Sequence, residues 1–145
     1  MAAVKDVLVR KGGNVVTVGV DKTVLDASLE MTERGIGAVL IVDESGALVG
    51  IFTERDVLRR VVAERRDPAT TRLADVMTRA VITCSPGTTL EECGAVMTAR
   101  RIRHLPVISG EGLVGVLSSG DVLAYRADEQ QATIEQLHHY VFDLR

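Results

Sequence analysis

Hydrophobic and polar positions follow the same order twice along this chain. The sequence of apolar runs, turn residues and polar endings in residues 14–58 recurs in residues 80–123, with one residue deleted in a turn of the second copy. Met31 and Met97, for example, hold equivalent positions. The repeats of solenoid proteins usually run about 20 to 50 residues. The spacing between equivalent residues here is 66, from Met31 to Met97, which exceeds that range. It instead predicts a duplicated half-domain whose copies pack on each other and form related clefts at their junction.

Each copy predicts a β-α-β-β-α unit. A short β-branched run leads into a helical pattern, which in the first copy ends at Gly35, as helices commonly do. Two apolar runs around a turn then predict a hairpin, and a Thr or Ser opens the last helix. The predicted elements are strands at 15–18, 38–42 and 48–52 with helices from Val24 and Thr53, then strands at 81–84, 105–108 and 113–117 with helices at about 89–100 and from Ser118.

Similar short lead-in segments, residues 4–8 and 73–77, precede the two units. We therefore expect residues 1–66 to form the first repeat with an N-terminal lead-in helix, 67–126 the second repeat, and 127–145 a C-terminal amphipathic helix. The class is mixed α/β of the α+β kind, with the two repeats packed in pseudo-twofold symmetry as one module. Ile134, Leu137, Val141 and Leu144 form one apolar stripe on the tail helix. We expect a homodimer contact there, although packing on the same chain is the alternative.

Composition narrows the class of protein. The 145 residues are 46% hydrophobic with no Trp, and the net charge of −3 argues against a general nucleic-acid binder. Cys84 and Cys93 lie too far apart for a close redox pair and are expected to be buried thiols. Neither a long apolar run nor a signal-peptide pattern is visible, so we expect a cytoplasmic protein without membrane contact.

Two heptapeptides, GIFTERD at 50–56 and GVLSSGD at 115–121, follow the equivalent hairpins. With the duplicated unit, they make residues from about 4 to 126 resemble a tandem pair of cystathionine β-synthase (CBS) domains, the arrangement called a Bateman module. The resemblance implies two clefts between the repeats, which in this family often hold adenosine-containing ligands.

The motif side chains suit such a ligand on chemical grounds as well. A carboxylate at Asp56 or Asp121 can accept hydrogen bonds from both ribose hydroxyls, and the hydroxyl of Thr53 or Ser118 suits a phosphate oxygen. The alternative is that Thr-x-x-Asp and Ser-x-x-Asp are only N-terminal helix caps. Duplication does not decide between them, because copying a repeat also copies its caps.

The resemblance implies a set of residues for each cleft. For the cleft closed by Ser118 and Asp121 it implies adenine contacts from the backbone and cations near the phosphates. For the cleft closed by Thr53 and Asp56 it implies a similar set, which Arg103 approaches from the opposite side. The first set is Asn14, Val16, Ile36, Gly37, Arg103, His104, Ser118 and Asp121, and the second is Ala80, Ile82, Ile102, Thr53 and Asp56.

The first cleft is expected to bind more tightly, because its polar partners look complete. The basic run at 100–104 is alternatively a solvated helix C-terminus rich in cations. Arg55, Arg59, Arg60, Arg65 and Arg66 are interpreted as a solvated helix face.

The expected function is that of a stand-alone sensor. It would bind AMP, ADP, ATP or a relative such as NADH or S-adenosylmethionine, and signal to an unidentified protein partner by changing conformation. The alternative is a dimeric scaffold or partner-binding protein without a physiological nucleotide. No required cofactor and no set of catalytic residues are expected. No metal site is expected either, because the adjacent His138 and His139 would point about 100° apart on a helix.

Overall fold

Two similar units follow one another, each introduced by a short helix. The computed structural model describes residues 2–110 and 112–143, with side chains up to residue 137. The first unit comprises α1 (Val4–Lys11), β1 (Thr17–Gly19), α2 (Val24–Arg34), β2 (Ala38–Val42), β3 (Leu48–Thr53), α3 (Glu54–Asp56) and a π-helix (Val57–Val62). The second comprises α4 (Leu73–Val76), α5 (Leu90–Arg100), β4 (His104–Ser109), β5 (Gly112–Ser118) and α6 (Ser119–Asp143). The predicted α+β class is confirmed.

The sheets of the two units differ by one strand. In the first unit, β1 pairs in parallel with β2, which pairs antiparallel with β3. In the second, β4 and β5 form the antiparallel hairpin, but the strand predicted at 81–84 is reduced to a single bridge from Cys84 to Val107. The sequence explains the loss. Leu40 N–H donates to Val16 O in the first unit, whereas the equivalent of Leu40 is Pro106, which has no N–H to donate.

The lead-in helices are exchanged between the two hydrophobic cores. Val4 and Val7 of α1 are buried in the core of the second unit, while Leu73 and Val76 of α4 are buried in the core of the first. Backbone hydrogen bonds fix both exchanges in equivalent ways: Val24 N–H donates to Thr71 O at 2.9 Å, and Leu90 N–H donates to Ala2 O at 3.1 Å. Each core is therefore completed by a helix that lies outside its own repeat in sequence.

Two predicted helices differ from expectation. The helix after Thr53 begins as α-helix but continues as the π-helix, so its apolar residues are rotated relative to an α-helical stripe. The helix opened by Ser118 continues without a break to Asp143, so the tail is not a separate element. Ile134 and Leu137 are both 59% exposed. The side chain of Val141 and all of Leu144 lie outside the described residues, as do the side chains of His138 and His139.

Other expectations concern burial and membrane contact. Cys84 and Cys93 are free and buried, as predicted, and burial raises the pKa of the Cys84 thiol to about 12. No helix within residues 2–110 and 112–143 has both the length and the apolar character needed to cross a membrane.

Glycine allows the exchanged helices to approach the sheets. A Cβ atom at Gly50 would lie 2.6 Å from Met77 Sδ and 3.1 Å from Thr78 O, and one at Gly115 would lie 2.7 Å from Leu8 Cδ2.

Because the Thr78 backbone cannot rotate away, we expect Gly50→Ala to lower the free energy of unfolding by about 1–3 kcal/mol. Chemical denaturation would measure this. Gly87→Ala, where nothing lies within 4 Å of the added Cβ, is the matched control. Equal stability of the two variants would contradict the close approach.

Candidate functional site

A cavity of about 370 Å³ opens between the two units on the side of Thr53 and Asp56. The first unit contributes Gly37 and the start of α3, and the second contributes residues 80–82 and residues 100–104. A volume of this size falls within the range of about 300–1,000 Å³ that is usual for small-molecule sites. Both repeats thus form the walls of one site.

The structure redistributes the residues that the sequence assigned to two clefts. The five residues of the expected second set all line this cavity. Gly37 and His104, which were expected beside Ser118 and Asp121, line it too, and so does Arg103, which was expected to approach it from the opposite side. His104 also pairs with Ser118 across the β4–β5 hairpin. The remaining members of the first set are not among its lining residues: Asn14, Val16, Ile36, Ser118 and Asp121.

Backbone geometry limits how Ile36 and Ile102 can contact a ligand. Ile36 N–H donates to Met31 O, and Ile102 N–H donates to Met97 O, both at 3.0 Å. Both N–H groups therefore close the C-termini of α2 and α5. Any backbone contact from these residues to an adenine ring would have to use their carbonyl oxygens.

The helix-cap geometry expected for the Thr/Ser-x-x-Asp motifs is present in both copies. Asp56 Oδ2 accepts from Thr53 N–H at 2.9 Å, and Asp56 N–H donates to Thr53 Oγ1 at 3.3 Å. Asp121 Oδ2 and Ser118 Oγ make the same reciprocal pair at 2.8 and 3.0 Å. A capping role does not remove a binding role, because each carboxylate has a second oxygen. Asp56 Oδ1 lies 3.5 Å from Arg60 Nε.

Positive charge dominates the cavity wall. Arg59, Arg60, Arg65 and Arg66 are exposed, as expected for a solvated helix face, whereas Arg55 is half-buried. Arg55 and Arg59 also line the cavity. Arg55 Nη1 donates to Arg101 O at 2.9 Å across the two units. Glu54 and Asp56 are the acidic residues of the wall. The basic residues are Arg55, Arg59, Arg100, Arg101 and Arg103, with His104 beside them.

Sequence reasoning also missed the part played by Arg60. Its Nη1 donates to Val76 O and Met77 O, both at 3.1 Å, where α4 ends. The guanidinium therefore links the carboxylate of Asp56 to the exchanged helix. The available signal was the four-residue spacing between Asp56 and Arg60, which places both side chains on one helical face.

His104 is half-buried between the two motif regions. Burial lowers its pKa, and the nearby ammonium of Lys11 and guanidinium of Arg103 act in the same direction. The carboxylates of Asp121 and Glu54 oppose this shift without reversing it. The imidazole is therefore neutral near pH 7, and the permanent positive charge of the wall comes from arginine.

On the other side of the module, Asp121 forms an ion pair with Lys11, which sequence reasoning did not identify. Lys11 Nζ donates to Asp121 Oδ2 at 2.7 Å and to Val116 O at 2.8 Å. Burial raises the pKa of Asp121, but hydrogen bonds from Lys11 and Ser118 outweigh that effect, and the net shift is downward. The carboxylate is therefore ionised and neutralised by the protein's own ammonium group.

The second unit places an arginine where the first has a glycine. Gly35 ends α2 in the left-handed conformation (φ 64°, ψ 37°), and Arg101 ends α5 in nearly the same conformation (φ 55°, ψ 42°). Only glycine adopts this region without a steric penalty. The arginine therefore carries a local strain that its counterpart avoids, at a position on the cavity wall.

Comparisons with known proteins agree with this architecture. The sequence profile of the CBS domain matches residues 4–63 and 73–128. CBSX3, a mitochondrial CBS domain-containing protein of Arabidopsis thaliana, is 36% identical over 146 residues, which cover 95% of this chain and 71% of that protein. The chain belongs to the CBS-domain family and carries two CBS domains in tandem.

Solved structures extend the comparison to the fold. The CBS-domain containing protein ATU1752 from Agrobacterium tumefaciens has a TM-score of 0.80 at 38% identity, covering 86% of this chain and 98% of that one. The CBS domain pair of protein MJ0100, solved in complex with 5′-methylthioadenosine and S-adenosyl-L-methionine, has a TM-score of 0.77 at 26% identity, with coverages of 86% and 98%.

Removing the strain at Arg101 should stabilise the protein. We expect Arg101→Gly to raise the free energy of unfolding by about 1 kcal/mol, because glycine adopts the left-handed conformation freely. The hydrogen bond from Arg55 to the backbone oxygen of residue 101 is retained. Gly35→Arg is the reciprocal control and should lower stability by a similar amount. Urea denaturation would measure both, and a loss of stability in Arg101→Gly would contradict the strain.

The lowered pKa of His104 predicts a pH dependence of stability. The unfolded chain protonates this residue near pH 6.5, while the folded chain resists protonation until lower pH. The unfolded state therefore binds more protons, and stability falls as the pH drops below about 6.5. We expect the free energy of unfolding to fall more between pH 7 and pH 5 in the wild type than in His104→Gln. Parallel profiles in denaturant titrations would contradict the shift.

Proposed function

We propose that this CBS-domain pair is a regulatory module that binds an adenosine-containing nucleotide in the cavity of Thr53 and Asp56. One observation carries the proposal: a carboxylate suited to ribose and a cluster of guanidinium groups lie on the walls of the same cavity, and three of those groups, from Arg100, Arg101 and Arg103, come from the other repeat. The binding of 5′-methylthioadenosine and S-adenosyl-L-methionine named for the MJ0100 pair supports an adenosine compound.

Asp56 is the proposed ribose contact. Its Oδ2 caps α3, and among the described residues its Oδ1 forms an ion pair only with Arg60 Nε, at a long 3.5 Å. A carboxylate oxygen has two lone pairs, so Oδ1 can accept from a ribose hydroxyl while the cap stays intact. The side chain is 13% exposed, which leaves its carboxylate reachable yet shielded from bulk water. Thr53 contributes less, because its hydroxyl already bonds to Asp56.

The charge of the wall favours a phosphorylated ligand. Arginine guanidinium groups bind phosphate in bidentate geometry, and Arg55, Arg59, Arg100, Arg101 and Arg103 outnumber the two acids. S-adenosylmethionine carries a sulfonium cation, which this wall would not favour. We therefore place AMP, ADP or ATP ahead of S-adenosylmethionine as the ligand, with NADH as a larger phosphorylated candidate.

Regulation would follow from the contribution of both repeats to one site. A ligand that contacts Asp56 on one side and Arg103 on the other binds more tightly to the arrangement in which the repeats are closest. Ligand binding can shift a conformational equilibrium only through such a difference in affinity. The shift would be passed to an unidentified protein partner, and no catalytic step is part of the proposal.

A homodimer is the proposed assembly. Leu58 and Val62 on the π-helix are each 62% exposed, and Leu29 on α2 is 59% exposed. On α6, Leu123 is 67% exposed and Ile134 is 59% exposed. Side chains of this size on helix surfaces are candidates for burial against a second copy.

A dimeric scaffold without a nucleotide is the second candidate function. The observation that favours it is the use of Asp56 and Asp121 as helix caps, which accounts for both motifs without any ligand. The two candidates differ in a measurable way, because only the sensor loses an interaction with a ligand when the negative charge of Asp56 is removed.

Asp56→Asn tests the proposal while keeping an oxygen for the cap. Hydrogen bonds to charged groups are stronger than neutral ones, so we expect at least a roughly 10-fold rise in the dissociation constant for ATP or AMP, or about 1.4 kcal/mol. Isothermal titration calorimetry would measure it.

Asp26→Asn is the matched control, because Asp26 caps α2 through the same contacts with Thr23 but does not line the cavity. Unchanged ATP and AMP binding in Asp56→Asn would remove Asp56 from the site. Failure of the wild type to bind any of AMP, ADP, ATP, NADH or S-adenosylmethionine would favour the scaffold.

A further inference from the structure

The two motif carboxylates have different cationic partners. Asp56 Oδ1 lies 3.5 Å from Arg60, which belongs to the same helical segment. Asp121 Oδ2 accepts a 2.7 Å hydrogen bond from Lys11, which lies 110 residues earlier in the chain. The ammonium group also donates to Val116 O on β5. Asp121 Oδ2 therefore accepts both the capping hydrogen bond from Ser118 N–H and the ammonium group of Lys11, and a ribose hydroxyl bound by Oδ1 would lie next to that ammonium.

Lys11 reaches this position because α1 is longer than its counterpart. Leu8 of α1 packs beneath Gly115 as Met77 packs beneath Gly50, which aligns the two lead-in segments. Asn14 follows Leu8 by six positions, whereas its equivalent, Ala80, follows Met77 by only three. The three additional residues amount to nearly one helical turn of about 3.6 residues. Helix α1 accordingly spans eight residues and ends at Lys11, whereas α4 spans four.

The position of this pair makes it harder to displace than a surface ion pair. The side chains of Lys11 and Asp121 are 35% and 22% exposed, compared with 51% and 59% for the ion pair of Arg10 with Asp128. Shielding from water strengthens the attraction between the charges. A ribose whose two hydroxyls used both oxygens of Asp121 would have to displace Lys11 from Oδ2.

We infer that Lys11 determines which cleft accepts the ligand: its ammonium group closes the Ser118–Asp121 cleft and limits the module to one nucleotide, bound at Asp56. This inference rests on the proposed function of the Thr53–Asp56 cavity. It reverses the expectation from sequence that the Ser118–Asp121 cleft binds more tightly. The specificity is built into the chain by one additional turn of α1 and needs no external regulator.

Counting bound nucleotides tests the inference. Isothermal titration calorimetry with ATP should give one site per chain for the wild type and two for Lys11→Met, which keeps an unbranched apolar stem but removes the charge. Lys5→Met is the matched control, because Lys5 is an exposed residue of the same helix, and it should leave the count at one. Lys11→Met/Asp121→Asn should return the count to one, which would assign the new site to Asp121.

Each result has one meaning. One site in both the wild type and Lys11→Met, with the variant folded by circular dichroism, would overturn the inference and leave the proposed function intact. Two sites in the wild type would also overturn it. A single wild-type site that is lost in Asp121→Asn but kept in Asp56→Asn would overturn both the inference and the proposed location. Absence of ATP binding in all proteins would overturn the proposed function itself, and the inference with it.

Discussion

The exchange of the lead-in helices is the constraint on which the rest of the structure depends. Neither hydrophobic core is complete without residues from an exchanged lead-in helix. Val4 and Val7 of α1 complete the core of the second unit, and Leu73 and Val76 of α4 complete the core of the first. The two units are therefore held together by core packing as well as by surface contact. Residues at the ends of the exchanged helices, and those that follow them, are carried into the junction. This is how residues 80–82 come to line the cavity and how Lys11, the last residue of α1, comes to lie against Asp121.

Within that frame, the motif aspartates have a local role and a role at the junction. Locally, each caps a helix, and that role alone fixes the orientation of the carboxylate. At the junction, the cationic partner of each aspartate distinguishes the two sides of the module. Asp56 is paired with Arg60, which also binds the end of α4, whereas Asp121 is paired with Lys11, the last residue of α1. A duplicated sequence has thus produced two sites that are similar in their backbone and different in their charges.

Much of this architecture could be predicted from the sequence, because hydrophobic periodicity and turn residues report local burial. The hairpins, the buried thiols and the helix caps all follow from neighbouring residues. The sequence did not predict which side of the module carries the cavity. That depends on contacts between residues more than 40 positions apart, such as Arg55 with Arg101. Lys11 gave no signal at all, because its partner lies 110 positions away. The reduced strand at 81–84 was predictable in principle from Pro106, because proline has no N–H to donate to that segment.

Pro106 has an effect that reaches the cavity between the two units. In the first unit, the segment ahead of α2 is held along β2 by strand pairing at Thr17, Val18 and Gly19. In the second, the described backbone hydrogen bonds tie the equivalent segment to β4 only around Cys84. The stretch just before Cys84 forms one wall of the cavity, so that wall is the more compliant of the two. A guest molecule of varying size could be accommodated there by small backbone displacements, without disturbing either hydrophobic interior.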